Sequence, residues 1–330
     1  MNMNILSGWR ETTGPQARLK VRKILATTDL SNESIVGVRY AAALAEKVGA
    51  AVALLHVVEL PPPPPMPGMR AATYSLQDSK ITKYARARLK TLAKRESIRD
   101  LNLTPILRSG NSFYGIIAAA RERAVDLIVI ATHGHTGAKR VLLGSTAERV
   151  VRHAPCPVLT VPARASRRRA GKMPPLDLKR ILVPIDFSKT FKLALPWAAL
   201  VAAEYNAELV LLHVMETFPA DHLLGRRLLN ETITPFIKER ESDLGWMAKS
   251  LSKSTGLKVS AVVRTGKPFK EICSAAQKLG ADLITLTTRG HTGLKRVWLG
   301  STAERVVRHA VCPVLAIRER ERKKDEVLPG

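Results

Sequence analysis

The sequence predicts an α/β fold of two tandem domains, each a parallel β-sheet with helices on both faces. Residues 134–159 and 290–315 are almost identical and differ at only three aligned positions, so one domain occurs twice. In each half, short β-rich runs alternate with helical stretches, which is typical of parallel strands joined by crossover helices. The run at 127–131, LIVIA, is apolar at every position, as expected for a strand buried on both faces.

The elements follow in the same order in both halves. In the first half, strands are predicted over 22–28, 51–58, 103–108, 126–131 and 157–161, and helices over 32–48, 75–96, 112–123 and 145–153. In the second half, strands are predicted over 179–185, 208–214, 258–264, 282–287 and 313–317, and helices over 189–204, 228–254, 268–279 and 301–309. Each half therefore has five strands.

Composition shifts define the predicted domain boundaries. We expect a first domain over 1–162, a basic linker over 163–175 that ends in two prolines, and a second domain over 176–330. The run LPPPPPMPG at 60–68 cannot be a helix or a central strand. It is interpreted as a stiff surface loop, with a polyproline ligand for a partner domain as the alternative.

Bulk composition favours a globular protein outside the membrane. No apolar run is long enough to span a bilayer, and the first 14 residues lack the apolar core of a signal peptide, so we expect a cytoplasmic location. The chain has three cysteines, Cys156, Cys273 and Cys312. Their separations in the sequence fit neither a zinc-ligand motif nor a disulfide framework. The cysteines are interpreted as small apolar residues without a metal.

The net charge of +25 raises the question of a nucleic-acid partner. Cations are spread over the N-terminal segment, the linker and the rest of the chain, and aromatic residues make up only 5%. A base-stacking surface is therefore not apparent. Nucleic acid is the less favoured partner and stays an alternative.

A glycine-spaced loop follows the fourth strand of each half and precedes a helix. In the first half the chain leaves the strand at Ala131, turns at Gly134 and reaches Gly144-Ser145-Thr146. Glycine lets phosphate oxygens approach the backbone, and Ser145 is expected to cap the helix, leaving first-turn amides for an anion. The equivalent residues of the second half are Thr287, Gly290, Gly300, Ser301 and Thr302. The alternative is a loop that only stabilises the fold, but its near-identity in two otherwise diverged halves favours a phosphate site.

Asp29 and Asp186 end the first strand of their halves, where ligands of open parallel sheets bind. Each could contact a base or ribose, or cap the following helix, and the sequence favours neither. His56 and His213 end the second strand and are interpreted as structural, because the other histidines lie on different elements. No repeated nucleophile–base pair is present, so no catalytic residue is assigned.

With these motifs in order twice, the chain resembles a tandem universal stress protein of the nucleotide-binding branch. The resemblance covers about Arg22 to Val161 and Lys179 to Ile317. The family pattern is glycine, two residues, glycine, nine residues, then Gly-Ser/Thr. Gly134 and Gly290 match its second glycine, but Ala131 and Thr287 replace the first.

The resemblance implies two Rossmann-like (adenine nucleotide alpha hydrolase-like) domains, each a five-stranded parallel sheet of order 3-2-1-4-5. It implies binding of ATP or AMP, and Mg²⁺ is a candidate ion bound together with ATP. It also implies that the two domains pair as an intramolecular pseudo-dimer, and a homodimer of two chains is a further option. The implied nucleotide-binding residues are Thr28, Asp29, Val57, Ala131, Gly134, Gly144, Ser145 and Thr146, and in the second half Ile185, Asp186, Val214, Thr287, Gly290, Gly300, Ser301 and Thr302.

We therefore expect a stress-response protein that binds adenine nucleotides at two repeated sites. The alternatives are a slow ATPase and a basic protein that binds nucleic acid or a partner without nucleotide. No membrane association is expected.

Overall fold

The computed structural model describes residues 21–59, 71–97, 101–132, 144–166, 176–188, 190–216, 225–288 and 300–318. Strand and helix alternate through both halves. The first half contains β1 (Lys23–Thr27), α1 (Asn32–Val48), β2 (Ala51–Val58), α2 (Ala71–Glu96), β3 (Leu103–Ser109), α3 (Ser112–Glu122), β4 (Leu127–Ala131), α4 (Ser145–His153), β5 (Val158–Val161) and a 3₁₀ turn (Ala163–Ser166).

The second half repeats this order. It contains β6 (Arg180–Pro184), a 3₁₀ turn (Thr190–Leu193), α5 (Ala194–Tyr205), β7 (Glu208–Met215), α6 (Gly225–Thr255), β8 (Val259–Thr265), α7 (Pro268–Lys278), β9 (Leu283–Thr287), α8 (Ser301–His309) and β10 (Val314–Ile317). The predicted α/β fold with two tandem domains is confirmed.

All the described strands form one sheet, in the order β3-β2-β1-β4-β5-β10-β9-β6-β7-β8. Within each half the strands are parallel, and each half reads 3-2-1-4-5 in its own numbering. The halves meet where β5 and β10 pair antiparallel, with Leu159 opposite Leu315. This pairing covers the edge that each fifth strand would otherwise expose.

Helices cover both faces of the sheet, and each face has a core that is continuous across the two halves. One core holds α1, α2, α5 and α6, with Leu89, Leu195 and Leu251 among its buried residues. The other holds α3, α4, α7 and α8, with Ile116 and Val306 among its buried residues. Apolar burial of this extent supplies the main stabilisation of the fold.

Charged side chains also join the halves beside β5 and β10. Glu148 and Arg152 of α4 and Glu304 and Arg308 of α8 form what we call the ionic quartet. Arg308 lies 3.3 Å from Glu148 and Arg152 lies 3.8 Å from Glu304, and each arginine also contacts the glutamate of its own helix. The two positive and two negative charges balance within the group.

Most predicted bounds agree with the structure to within two residues, but the helices predicted over 75–96 and 228–254 begin earlier, at Ala71 and Gly225. The helix predicted over 189–204 begins as a 3₁₀ turn, and α5 starts only at Ala194. Pro196 has no N–H to donate to the carbonyl of Lys192, so the α-helical ladder does not extend back through this turn. The start of the predicted linker forms the 3₁₀ turn Ala163–Ser166, in which Ala165 is buried. The polyproline run at 60–68 lies outside the described residues.

Candidate functional site

Each half has an open cleft at the carboxyl ends of its first and fourth strands, where the direction of chain winding changes. The cleft has a volume of about 430 Å³ in the first half and about 570 Å³ in the second. Both values lie in the range of small-molecule sites. The described candidate residues that line the clefts are Thr28, Asp29, Val57, Ala131, Gly144, Ser145 and Thr146, and Ile185, Asp186, Val214, Thr287, Gly300, Ser301 and Thr302.

The predicted Gly134 and Gly290 lie outside the described residues, as do the lysine and arginine that follow each of them. The structure therefore brings together 14 of the 16 candidate residues, seven in each cleft. Their role in binding stays a prediction.

The strand-end aspartates hold the start of the next segment. Oδ1 of Asp29 accepts hydrogen bonds from the backbone N–H of Ser31 at 2.9 Å and from its hydroxyl at 2.5 Å. Asp186 does the same with Ser188, at 3.0 and 2.6 Å. The cap of α1 is Ser31 itself, whose side chain accepts from the N–H of Ser34. Asp29 thus positions the capping serine of α1, and both aspartates lie at the walls of their clefts.

The residue after each aspartate has a left-handed backbone. Leu30 has φ of 66° and Phe187 has φ of 56°, although neither is glycine or asparagine. Residues of this kind rarely adopt positive φ, and such strain persists only where neighbouring contacts impose it. The same conformation at the same position of both halves turns the chain sharply out of the strand and directs each aspartate toward the cleft.

The histidines at the ends of the second strands fix the floor of the clefts. Nδ1 of His56 donates to the carbonyl of Thr28 at 2.8 Å, and Nδ1 of His213 donates to the carbonyl of Ile185 at 2.7 Å. Burial, helped by the positive charge of Arg240, lowers the pKa of His213, so its ring is neutral near pH 7. This geometry agrees with the structural role predicted for these residues.

The second strand reaches farther than the first. β1 ends at Thr27, opposite Leu55, whereas β2 continues through Val57 to Val58. Val57 therefore extends past the end of β1 and lies at the cleft, and Val214 of β7 takes the equivalent place beside β6.

The helix after the glycine loop begins differently from the prediction. The N-cap residues are Gly144 and Gly300, and no side chain caps either helix. The expected capping by Ser145 and Ser301 is wrong, because the carbonyl of Gly144 already accepts the N–H of Glu148 at 3.0 Å and Ser145 lies in the first turn. As in every α-helix, the N–H groups of the first turn have no acceptor within the helix, and here no side chain caps them either.

The capping glycines lie tightly against the ends of the fourth strands. The N–H of Gly144 donates to the carbonyl of Thr132 at 2.8 Å, and a Cβ at Gly144 would stand 3.2 Å from that oxygen. At Gly300 the carbonyl is that of Thr288, and the corresponding Cβ distance is 3.3 Å. The hydroxyl of Thr288 is buried at the cleft wall without a hydrogen-bond partner among the described residues.

The two clefts differ in the polar residues at one end. In the first, Oε1 of Glu59 accepts the N–H of Ser112 at 2.8 Å. In the second, Glu216 occupies the matching position but Pro268 replaces the serine, and Lys267 and Arg305 also line the cleft. Sequence reasoning missed these residues.

A signal for the two glutamates was present, since the second strands read HVVE and HVME and carry Glu59 and Glu216 at the same offset as the aspartates. The strand exits differ as well. Ala131 lines the first cleft and the larger, β-branched Thr287 lines the second.

The sequence comparisons agree with this architecture. The model of the universal stress protein family matches residues 20–162 and 177–318. The chain belongs to the universal stress protein family. Among relatives, a universal stress protein of Mycolicibacterium smegmatis is 26% identical over 313 residues, covering 90% of this chain and 97% of the relative. This tandem member of the family therefore has a relative of similar length.

Single-domain relatives match one half. Universal stress protein MJ0531 of Methanocaldococcus jannaschii is 35% identical over 141 residues, or 43% of this chain and 82% of the relative. A crystal structure of a universal stress protein from Archaeoglobus fulgidus superposes with a TM-score of 0.63 at 23% identity, covering 91% of this chain and 97% of that one. That likeness shows the shared tandem fold.

The described residues contain neither a metal-binding cluster nor a membrane-spanning helix. No group of three or more His, Cys, Asp or Glu side chains in the described ranges is placed to hold a metal ion. Within the same ranges, every helix is too short or too polar to cross a bilayer.

Proposed function

We propose that this universal stress protein binds an adenine nucleotide, ATP or AMP, in each of its two clefts. The observation that carries the proposal is the repetition of one arrangement. In each half, a strand-end aspartate, the extended end of the second strand and a glycine-started helix line the same cleft. The residues that differ between the halves lie around this shared arrangement.

The phosphates would lie at the starts of α4 and α8. The first-turn amides of each helix have no intrahelical acceptor, and the helix dipole favours an anion there. A Cβ at Gly144 or Gly300 would crowd the strand carbonyl, at 3.2 or 3.3 Å, which supports a cradle shaped for close backbone approach. Mg²⁺ would enter with ATP, bound to its phosphate oxygens.

The adenosine would lie across the ends of the first and second strands. Asp29 and Asp186 would accept hydrogen bonds from ribose hydroxyls or the base, using oxygen capacity beyond their bonds to the serines. The backbone at Val57 and Val214 would pair with the adenine edge. The chain would bind nucleotide without a catalytic residue of its own.

We propose further that the two halves act as an intramolecular pseudo-dimer. The antiparallel pairing of β5 with β10, the continuous cores and the ionic quartet support this arrangement. A homodimer would then have to use other surfaces. The cytoplasmic location expected from the sequence stays a prediction.

Thermal unfolding with ligands tests the nucleotide proposal. A ligand at one hundred times its dissociation constant stabilises the folded state by about 2.7 kcal/mol. That corresponds to a rise in Tm of roughly 5–10 °C for domains of this size. ATP should raise Tm more than GTP or inorganic triphosphate at matched ionic strength.

Two further measurements separate the outcomes. The double variant Gly144→Val and Gly300→Val should lose the ATP-specific shift, and circular dichroism checks that it keeps the fold despite the Cβ contacts with the strand carbonyls. Equal shifts from ATP, GTP and triphosphate would instead assign the effect to the charge of the protein, which is +25, and would overturn the proposal. Phosphate release above background would favour the slow ATPase.

A further inference from the structure

The exposed side of α2 carries a row of cations that the nucleotide clefts do not use. Lys80, Lys83, Arg86, Lys90 and Lys94 are all exposed, and we call them the basic stripe. From residue 80 to 95 the helix contains no acidic residue. This concentration of cations on α2 is not apparent when the charge is judged over the whole sequence.

Helical geometry places the stripe on one face. At 100° per residue, its five members fall within an arc of about 120°. Ala85, Leu89 and Leu92 of the same helix are buried on the opposite side, against the sheet. The row from Lys80 to Lys94 is about 21 Å long at 1.5 Å per residue.

The cations of the stripe have no acidic partners among the described residues. Glu96, at the end of the helix, is buried and pairs with Arg39 at 2.8 Å and with Arg95 at 2.9 Å, outside the stripe. Within the stripe, Arg86 and Lys90 are four residues apart, as are Lys90 and Lys94. Like charges at this spacing destabilise a helix, so an external anion would relieve the repulsion.

The counterpart helix of the second half lacks this property. Over residues 238–253, α6 carries four cations and three acidic residues. Its Arg240 pairs with Glu239 at 3.1 Å and with Asp243 at 3.0 Å. The basic stripe therefore belongs to the first half alone and is not a requirement of the fold.

The position of the stripe leaves it accessible to a large partner. α2 packs on β3 and β2, and β3 is the outermost strand of the ten-stranded sheet. The helix is thus far from the junction of β5 with β10. Nothing in the described part of the chain covers its outer side.

We infer that the basic stripe binds the phosphate backbone of a nucleic-acid duplex without reading its sequence. Four of the five cations are lysines, which are depleted at protein interfaces but bind phosphates well as point charges. An interfacial membrane helix must insert its apolar face, and that face of α2 is buried in the core. Single strands need stacking aromatics, and over residues 80–96 of α2, whose exposure the structure describes, Tyr84 is the one aromatic side chain.

The test measures binding of the full chain to a fluorescent 25-base-pair DNA duplex at several salt concentrations. Each phosphate contact contributes about −0.9 to the slope of log K against log salt. The triple variant Lys83→Gln, Arg86→Gln and Lys90→Gln should make the slope shallower by roughly 2.7. Extrapolated from 1 M salt, where the counterion contribution vanishes, this change weakens binding roughly a hundredfold at 0.15 M salt.

The matched control is the triple variant Lys238→Gln, Lys249→Gln and Lys253→Gln, three exposed lysines of α6. It lowers the net charge by the same amount, and circular dichroism checks that both variants fold. Binding close to wild type for this control supports the inference.

Three results would overturn the inference. These are no duplex binding by the wild type, equal losses in both triple variants, and stripe-dependent binding to vesicles of anionic lipid with none to the duplex.

Discussion

The carboxylate of Glu59 accepts the backbone N–H of Ser112 at the start of α3, at 2.8 Å. Hydrogen bonds from the backbone and hydroxyl of Ser112 lower the pKa of Glu59. The second half cannot form the backbone bond, since Pro268 occupies the matching place and has no N–H. The difference between Ser112 and Pro268 thus changes the hydrogen bonding of the glutamate that stands at the same position in each cleft.

Replacing Glu59 by glutamine should destabilise the protein slightly near neutral pH. A carboxylate accepts the Ser112 bonds more strongly than an amide. Because Glu59 is exposed, we expect a loss of about 0.5 kcal/mol, or roughly 1–2 °C in Tm. The folded pKa lies below the unfolded value, so this contribution is present above about pH 4.5 and is lost as pH falls through the folded pKa. Thermal unfolding at pH 7 and pH 3.5 measures it.

Glu216→Gln is the matched control for that experiment, because Glu216 faces Pro268 instead of a serine. It should change Tm less than Glu59→Gln at pH 7. Equal changes in the two variants would show that the Ser112 contact does not account for the effect.

A side chain at Gly115 is expected to displace the neighbouring Val57. A Cβ there would stand 2.9 Å from Cγ2 of Val57, which itself lines the first cleft. Gly115→Ala should therefore cost about 1–3 kcal/mol through overpacking, despite the higher helix propensity of alanine. It should also reduce the affinity of the first cleft for ATP by displacing Val57. Chemical denaturation and calorimetry measure the two effects.

Gly245→Ala is the control for the backbone contribution. Gly245 lies inside α6, and a Cβ there would meet no atom within 4 Å. This variant should be stabilised by roughly 0.5–1 kcal/mol. A stabilised Gly115→Ala would mean that Val57 gives way without cost.

The ionic quartet should couple the halves energetically. In a double-mutant cycle of Glu148→Gln and Arg308→Gln, whose side chains are 3.3 Å apart, we expect a coupling of about 0.5–1 kcal/mol. The coupling should decrease in 1 M salt. The exposed pair Asp177 and Lys179, at 3.6 Å, serves as the comparison and should couple more weakly. If the coupling within the quartet is no larger than that of Asp177 with Lys179, the quartet does not join the two halves energetically.

The neutral ring of His213 predicts acid sensitivity. Burial lowers the folded pKa below the ordinary value, so the unfolded chain binds the extra proton first. Stability attributable to His213 is therefore full above about pH 6.5 and is lost as pH falls toward the folded pKa. His213→Asn retains a donor for the carbonyl of Ile185 but cannot titrate. The Tm difference between wild type and variant should change between pH 7.5 and 5.5, and a constant difference would contradict the assignment.

Local signals explain why much of the fold was predictable. The predicted bounds 32–48 and 51–58 coincide with α1 and β2, because Ser31 and Gly49 mark the helix ends and the strand is almost continuously apolar. The two-sided burial of β4 and β9 agrees with their uniform hydrophobicity.

Other features depend on contacts that the sequence does not state. Ser145 has the residue type of a cap, but the hydrogen bond between Gly144 and Thr132 sets the helix start one residue earlier. Positive φ at Leu30 and Phe187 carries no signal in residue type. The basic stripe becomes visible only when α2 is known to bury its other side.

The reversal of strand direction between β5 and β10 has a geometric consequence for the whole chain. The carboxyl ends of β1 and β4 point to one end of the strands, and those of β6 and β9 point to the opposite end. The two clefts therefore open at opposite ends of the sheet. Ligands in the two clefts would therefore face away from each other, and no small molecule could bridge them. A partner bound over the cleft of one half would therefore leave the cleft of the other half accessible.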